Sequence, residues 1–232
     1  MEVIRCAKLN LAIDLAAAQA EVAALPDAWQ AHFQKLHYDG EWAVLPLRSP
    51  GGRLDDILPF ALGNSDQAHA DTPLLMQCPA IGNLLGSLKC PVRSARLLNL
   101  KRGSIIHPHR DLELAYENGE ARLHFPIFTN PGVEFFIDEQ PLVMEEGSAW
   151  YINANLTHSV ANRGNADRIH LVVDCGVDNW LREVFAQAAV FYSEIRRDPK
   201  EVQEMIARLR EMNTPTSLRR AQDLERERAG AS

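Results

Sequence analysis

The sequence predicts a mainly β protein, an antiparallel sandwich or jelly roll with flanking α-helices. From Val92 to Asp174 apolar residues recur with a period of two, which is the pattern of strands with one buried face. Runs with helical periodicity lie before and after this region. Turn signals divide the region at short intervals, as in two sheets of short antiparallel strands that enclose a cavity. These signals are Lys101-Arg102-Gly103, Glu117-Asn118-Gly119-Glu120, Asn130-Pro131-Gly132, Glu145-Glu146-Gly147 and Asn162-Arg163-Gly164-Asn165.

Two helices are predicted before the β region. Asp14 is a suitable N-cap for a helix over Leu15–Leu25, an alanine-rich run that Pro26 terminates. The segment Pro79–Leu88 begins with proline and carries leucine and isoleucine at helical spacing. We expect this second helix to cover one side of a sheet.

Between these helices the sequence predicts strands and a loop. Phe33–Leu36 and Trp42–Leu47 alternate and flank a turn signal at Asp39-Gly40, which indicates two strands. The polar segment Gly63–Pro73 lacks periodicity, so we expect an exposed connection or a flexible flap.

Helices are also predicted after the β region. Asp178-Asn179 can cap one helix, and Asp198-Pro199 can start another that extends through Arg210. Beyond Pro215, Arg and Glu dominate, which indicates a solvated helix or disorder. An apolar face of the first helix packs either on its own barrel or on another subunit, which leaves a homodimer open. That face is Trp180, Val184, Ala188, Phe191 and Ile195.

Length and charge limit the domain organisation and the partners. A chain of 232 residues is long enough for one well-buried core with helical additions. We expect a β domain over residues 1–177 and a C-terminal helical extension over residues 178–232. The excess of 31 acidic over 24 basic residues argues against nucleic acid as a partner.

The cysteines and the apolar runs bear on localisation. Cys6, Cys78, Cys90 and Cys175 lack the short spacing of zinc or redox motifs, so they are interpreted as reduced structural thiols. The first residues do not resemble a signal peptide, and no apolar run reaches the length of a membrane span. We therefore expect a cytoplasmic protein without membrane contact.

Three residues form a candidate metal site. His109 and Asp111 are two apart on a predicted strand, so both side chains project from the same face, and His158 follows about fifty residues later. Two imidazoles and one carboxylate can occupy one face of an octahedral Fe(II) and leave positions for a keto acid and dioxygen. Catalytic zinc would instead take a tetrahedral site, so the ligand set favours iron. A solvated His-x-Asp turn is the alternative interpretation.

His107 competes with His109 as first ligand because the two share a strand face. The chelating pair needs a carboxylate two residues away, which favours His109. We expect His107 to form a hydrogen bond near the metal or to pack at the strand start.

Arg168 is a candidate anchor for a carboxylate. It opens a strand at the mouth of the predicted barrel, where an arginine fork can hold the distal carboxylate of a keto acid. The structural alternative is a salt bridge with Asp167 or Asp174.

Arg122 and His124 share one face of another strand, which suggests a second carboxylate in the same cavity, on the co-substrate or on the substrate. A buried Arg122 paired with Glu113 or Glu134 is the alternative, and the spacing does not distinguish the two.

The motifs around these candidate site residues resemble those of the aspartyl/asparaginyl β-hydroxylase family, and within it those of the bacterial branch that includes free-proline cis-hydroxylases. The similar residues span roughly Leu97 to Asp174, with a weaker match around Trp42 to Arg48. The motifs are Ile106-His107-Pro108-His109-Arg110-Asp111, Arg122-Leu123-His124-Phe125-Pro126-Ile127, Thr129-Asn130, Thr157-His158-Ser159-Val160-Ala161-Asn162 and Arg168-Ile169-His170-Leu171-Val172-Val173-Asp174.

The resemblance implies a double-stranded β-helix that uses Fe(II), 2-oxoglutarate and dioxygen. By position, His109, Asp111 and His158 would hold iron and Arg168 would bind the C5 carboxylate of 2-oxoglutarate, while Arg122 and His124 would contact a co-substrate or substrate carboxylate. We expect a hydroxylase of a small carboxylate-bearing molecule, an amino acid or a derivative. The alternatives are hydroxylation of Asp or Asn in a peptide and a cupin-like metal-binding protein without turnover.

Overall fold

Two β-sheets and five α-helices make up the computed structural model, which describes residues 2–57, 68–111, 114–194, 199–211 and 213–230. The helices are α1 (Leu15–Ala24), α2 (Pro79–Ser87), α3 (Asn179–Ala186), α4 (Pro199–Glu211) and α5 (Pro215–Gly230). The strands are β1 (Glu2–Leu9), β2 (Gln30–Ala31), β3 (Tyr38–Asp39), β4 (Trp42–Pro50), β5 (His69–Asp71), β6 (Val92–Leu100), β7 (Ile105–His109), β8 (Glu120–Phe128), β9 (Val133–Ile137), β10 (Gln140–Pro141), β11 (Ala149–Ile152), β12 (His158–Asn162), β13 (Arg168–Gly176) and β14 (Ala189–Glu194).

The sheets form the predicted jelly roll, a double-stranded β-helix with flanking helices. The larger sheet has nine strands in the order β14-β1-β11-β8-β13-β6-β4-β2, with β5 beside β4. The smaller sheet has five strands in the order β10-β9-β12-β7-β3. The pairings at its centre, β12 with β7 and with β9, are antiparallel, as are those of β13 with β6 and β8 in the larger sheet.

The larger sheet has one apolar face and one polar face. Residues directly opposite in an antiparallel pair share a face, and Asp174 lies opposite Arg122 on β8 and Ser94 on β6. The alternate residues of the same strands, such as Leu123 and Leu171, are fully buried against the helices. Each such side chain stabilises the fold by about 1.5–3 kcal/mol relative to exposure. The alternation predicted for β8 and β13 is confirmed, and it turns their polar residues toward the smaller sheet.

The two predicted N-terminal helices are confirmed. The Asp14 side chain accepts a hydrogen bond from the Ala17 amide at 3.1 Å and so caps α1. Helix α2 begins with Pro79 and has no side-chain cap of its own. Instead, the carboxylate of Glu21 on α1 accepts the amides of Ala80 at 2.6 Å and Ile81 at 3.2 Å. One helix therefore caps the other.

We expect Glu21→Ala to lower the free energy of unfolding by about 1 kcal/mol, because two amides at the N-terminus of α2 lose their acceptor. Urea unfolding of the variant beside wild type measures the difference. Glu21→Gln keeps one amide oxygen as acceptor and should lose less. Equal stability of the alanine variant and wild type would contradict this cap.

The strand predicted over Phe33–Leu36 is wrong, whereas the one over Trp42–Leu47 is confirmed as part of β4. The strand beside β4 is β2, which lies earlier, and Lys35–His37 forms a 3-10 turn. The imidazole of His32 stacks on the Trp42 indole with ring centroids 3.5 Å apart, and Leu36 is almost fully exposed. The alternation at Phe33–Leu36 thus reflects a turn rather than a pleated face.

The helix predicted from Asp178-Asn179 is shorter than expected. Asp178 caps α3 by accepting the Leu181 amide at 2.9 Å, but α3 ends at Ala186 and the chain continues as edge strand β14 beside β1. β14 contains β-branched and aromatic residues that favour a strand. Leu181 and Phe185 pack on the sheet of their own chain. The homodimer therefore stays a prediction.

The C-terminal helices form a compact unit of their own. α4 and α5 pack through Ile206, Ala221 and Leu224, which are buried. This unit comprises residues 1–3 and 194–232, and the other comprises residues 4–193. The domain boundary predicted between residues 177 and 178 stays a prediction. Ile195, Asp198 and residues 63–67 of the Gly63–Pro73 segment lie outside the described residues, whereas His69–Asp71 of that segment forms the short strand β5.

Two further expectations concern the cysteines and the membrane. The four cysteines are free thiols, and all are buried. None of the helices in the described parts of the chain has both the length and the apolarity needed to cross a bilayer.

Candidate metal centre

His109, Asp111 and His158 converge at one end of the gap between the sheets. His109 ends β7, His158 begins β12, and the two residues lie directly opposite each other in the smaller sheet. Their ring centroids are 4.2 Å apart. Asp111 follows β7, and its amide donates to the Ala154 carbonyl at 2.8 Å. One ligand atom from each of the three side chains lies within 4.8 Å of the other two.

The hydrogen bonds of the two imidazoles leave Nε2 of each ring available to bind a metal. Nδ1 of His109 lies 2.8 Å from the His107 carbonyl, and Nδ1 of His158 lies 3.0 Å from the Leu156 carbonyl. A carbonyl only accepts, so each Nδ1 carries the proton and each Nε2 presents a lone pair. Backbone acceptors commonly fix metal-binding histidines in this way.

Burial and charge keep all three side chains in their metal-binding protonation states. Burial lowers the pKa of His158 to about 4 and also lowers the pKa of His109. Burial alone would raise the pKa of Asp111, but the Arg122 guanidinium beside it holds that pKa below the ordinary value. At neutral pH the cluster therefore consists of two neutral imidazoles and one carboxylate.

The donor set fits Fe(II). Two imidazoles and one carboxylate can hold one face of an octahedral ion and leave other positions open, whereas a closed zinc site would need a fourth protein ligand. One carboxylate oxygen of Asp111, Oδ2, is bonded to Arg122, which leaves Oδ1 for the metal. The assignment of the three ligands stays a prediction.

Arg168 lies on the same polar face of the larger sheet, without a carboxylate partner among the described residues. Its side chain is 2% exposed, and Nη2 donates to Nδ1 of His170 at 2.8 Å. Its Nε is buried and has no hydrogen-bond partner. Burial lowers the pKa of Arg168 to about 9. A guanidinium that is buried in this way is stabilised by an anion, because burial disfavours an unpaired charge.

The salt bridges considered as alternatives for Arg168 do not form. Asp167 pairs with Lys101 at 2.8 Å, and Asp174 pairs with Arg96 and Arg122. Within the described part of the chain, Arg168 therefore keeps its guanidinium available for the carboxylate of a ligand, which is the role predicted for it.

A cavity of about 560 Å³ leads to Arg168 and His170. Phe135 lines this cavity and also stacks in parallel on the His158 imidazole, with 6.4 Å between ring centroids. The cavity is large enough for a small dicarboxylate. Its other lining residues come from segments 129–133 and 142–146. A second cavity of about 640 Å³, between residues 27–43 and Lys101, contains none of the predicted site residues.

Of the two glutamates considered as partners of Arg122, only Glu134 lies in the described part of the chain, and it pairs with another arginine. Glu134 bonds to Arg163 at 2.9 Å, and Glu113 lies outside the described residues. The Arg122 guanidinium instead donates to Asp174 at 2.7 and 3.0 Å and to Asp111. A role in binding a co-substrate or substrate carboxylate stays a prediction for Arg122, and its charge is already matched by these two aspartates.

His124 lies between the metal ligands and Arg168 on the polar face. Its Nδ1 is 3.4 Å from Nδ1 of His170, and its buried Nε2 has no partner in the described structure. Burial, reinforced by the Arg168 charge, lowers its pKa well below the ordinary value. A neutral His124 with one unsatisfied nitrogen is therefore available to a bound ligand.

The His107 imidazole is not part of the group formed by the three predicted metal ligands. Its Nε2 lies 3.1 Å from the carboxylate of Asp39, and its side chain is 45% exposed. This position agrees with the choice of His109 as first ligand.

The sequence interpretation gave His170 no role and considered Asp174 only as a salt-bridge partner of Arg168. His170 orients Arg168, and Asp174 is the shared partner of Arg96 and Arg122. Both lie on the same face of β13 as Arg168, at spacings of two and six residues. Polar residues at three of the four positions 168, 170, 172 and 174, in an otherwise apolar strand, are a signal that was present in the sequence.

Comparison with known proteins identifies a family for most of the chain. Residues 12–176 match the family model described as aspartyl/asparaginyl beta-hydroxylase. The chain is 28% identical over 149 residues to the L-proline cis-4-hydroxylase of Rhizobium meliloti (strain 1021). This match covers 62% of this chain and 52% of that protein. It is 29% identical over 172 residues to L-proline cis-3-hydroxylase 1 of a Streptomyces species, which covers 70% and 57% respectively. The chain thus spans about half the length of the curated relatives that it matches.

Solved structures show more distant likenesses. A prolyl-4-hydroxylase of Pseudomonas putida aligns with a TM-score of 0.45 at 11% identity, covering 76% of this chain and 94% of that one. A 2OG-Fe(II) oxygenase-family oxidoreductase of Burkholderia pseudomallei aligns with a TM-score of 0.43 at 16% identity, covering 72% and 82%.

Proposed function

The chain belongs to the aspartyl/asparaginyl β-hydroxylase family, and on that basis we propose that it is an Fe(II)- and 2-oxoglutarate-dependent dioxygenase. Its substrate is a small carboxylate-bearing molecule, a free amino acid or a derivative of one. The observation that carries this proposal is the convergence of His109, Asp111 and His158. The buried Arg168 without a carboxylate partner among the described residues provides the second component.

Each site residue has a defined task in this reaction. His109, Asp111 and His158 hold the iron through two Nε2 atoms and one carboxylate oxygen. With iron, 2-oxoglutarate and dioxygen bound, the site supplies the oxidising chemistry that turns a C–H bond into C–OH while 2-oxoglutarate becomes succinate and CO2. Arg168 binds the distal carboxylate of 2-oxoglutarate, and His170 holds the guanidinium in place.

The surroundings of the site favour this chemistry. Arg168, His124 and His158 are all at least nine-tenths buried, so a ligand among them is shielded from bulk water. Electrostatic attraction between Arg168 and a carboxylate is stronger in such a site than in water. The unsatisfied Nε2 of His124 adds a hydrogen-bonding group between the anchor and the metal.

The substrate class follows from the curated relatives, which hydroxylate L-proline according to their names. Because the chain matches only about half of their length, we propose the class and not proline itself. We further propose that the protein acts in the cytoplasm, where its four buried free thiols remain reduced.

Anaerobic addition of Fe(II) and 2-oxoglutarate tests the proposal directly. The chelate should produce a weak visible charge-transfer band. Oxygen is then admitted in the presence of a panel of free amino acids and short peptides. We expect succinate and a product that is heavier by one oxygen atom, both detected by mass spectrometry. Hydroxylation of peptides alone would move the protein to the peptide-modifying branch. Absence of both the band and succinate would favour a metal-binding protein without turnover.

A further inference from the structure

A cluster of four charged residues, three of them buried, connects the larger sheet to the predicted metal carboxylate of Asp111. Asp174 is fully buried, and Arg96 and Arg122 are at most 7% exposed. Asp174 accepts hydrogen bonds from Arg96 at 2.8 Å, from Ser94 at 3.1 Å and from Arg122 at two atoms. Arg122 then bonds to Asp111. Two guanidinium groups thus face two carboxylates, and the metal carboxylate is one of them.

The sheet register fixes the geometry of this cluster. Asp174 lies directly opposite Arg122 on β8, so both Asp174 oxygens meet the Nε and Nη2 edge of the guanidinium at 2.7 and 3.0 Å. A guanidinium is planar, so this two-point contact determines where its third nitrogen points. That nitrogen, Nη1, contacts Oδ2 of Asp111. Asp174 therefore sets the direction of the bond from Arg122 to Asp111.

The metal carboxylate needs such a contact because of its position in the chain. β7 ends at His109, so the side chain of Asp111 belongs to the connection after the strand, and its backbone bond to Ala154 fixes only the main chain. A carboxylate in that place is free to rotate unless one of its oxygens is held. Arg122 holds Oδ2 from the opposite sheet and leaves Oδ1 for the metal.

We propose that Asp174 is a positioning residue for the metal centre, which acts through Arg122 to fix the carboxylate of Asp111 for metal binding. This inference rests on the proposed metal site and adds to it a residue that does not touch the metal. Arg96 shares Asp174 with Arg122, but no described contact joins it to Asp111. Arg96 therefore provides a matched control, since its removal also takes one guanidinium from Asp174 and leaves the contact with Asp111 intact.

Titration of the purified protein with Co(II), followed by its visible absorption, tests the inference without turnover. We expect Arg122→Gln and Asp174→Asn to weaken Co(II) binding about 10- to 100-fold, the range found when partners of metal ligands are removed. Arg96→Gln should weaken Co(II) binding less than either of these variants, because the two-point contact of Asp174 with Arg122 and the bond from Arg122 to Asp111 remain. Urea unfolding of each variant shows what part of the change comes from stability.

Several outcomes would overturn the inference. Equal weakening by Arg96→Gln and Arg122→Gln would mean that the cluster supports the fold alone, and unchanged affinity of Arg122→Gln would remove the link to the metal. Should Asp174→Asn fail to fold, Arg122→Lys decides, because lysine keeps the charge but cannot bridge two carboxylates. Wild-type affinity in that variant would contradict the proposal. Failure of the wild type to bind Co(II) would instead contradict the metal site itself, so the two failures are distinguishable.

Discussion

His109→Ala is expected to reduce hydroxylation by at least about 100-fold, more than the 10- to 100-fold typical of losing a partner of a metal ligand. The physical reason is that only two of the three protein ligands would remain, and the anaerobic charge-transfer band should disappear with them. Turnover measured as succinate release, together with the band, gives both readouts on one sample. Asp111→Ala and His158→Ala should behave in the same way.

His107→Ala is the matched control for this prediction. His107 lies two residues before His109 on the same strand, but its imidazole pairs with Asp39 at a partly exposed position. Contacts between exposed polar side chains contribute about 0–1 kcal/mol, so turnover should stay within about fivefold of wild type. The His107 carbonyl, which orients His109, is unaffected by the change. If His107→Ala lost the charge-transfer band and His109→Ala retained it, His107 would be the metal ligand instead of His109.

The second large effect is expected for Arg168→Gln. Removal of one partner of a buried charge pair costs about 2–5 kcal/mol, which corresponds to a rise of about 30- to 4,000-fold in the Kd of 2-oxoglutarate. Anaerobic titration of the Fe(II) protein with 2-oxoglutarate, followed by the charge-transfer band, measures this Kd. Saturating 2-oxoglutarate should restore part of the turnover, since the metal ligands are intact.

Arg163→Gln is the control for the loss of an arginine. Arg163 is mostly exposed and pairs with Glu134 away from the cavity, so the Kd of 2-oxoglutarate should not change. Arg168→Lys keeps the charge without the fork and should fall between wild type and Arg168→Gln. If Arg168→Gln binds 2-oxoglutarate as tightly as wild type does, another group anchors the distal carboxylate.

The sequence predicted which side chains share a face better than it predicted which side chains touch. A period of two assigns Arg122 and His124 to one face of β8, because the pleat alone decides it, whereas Asp111 lies in the connection after β7 and not on the strand predicted for it. The partner of Arg122 depends on the register between β8 and β13, whose residues Arg122 and Asp174 are 52 positions apart. No local pattern encodes that register, so the sequence suggested glutamates where the structure has aspartates.

The errors in secondary structure have a similar cause. Residues after Ala186 continue an amphipathic pattern that suits a helix, but they pair with β1, which lies at the opposite end of the chain. The residues of this edge strand suit either structure, and the pairing with a distant neighbour decides for the strand. In the same way, the stacking of His32 on Trp42 replaces the strand expected at Phe33–Leu36.

The alternation of faces in β13 makes the strand intolerant of changes in length. Arg168 and Asp174 point into the gap between the sheets, while Leu171 and Val173 pack under the helices. Deletion or insertion of one residue after Arg168 would reverse this order for the rest of the strand, because each position moves to the opposite side of the pleat. Aliphatic side chains would then fill the gap between the sheets, and charged side chains would enter the apolar core. A change of one residue in the length of this strand should therefore disrupt both the predicted site and the apolar core.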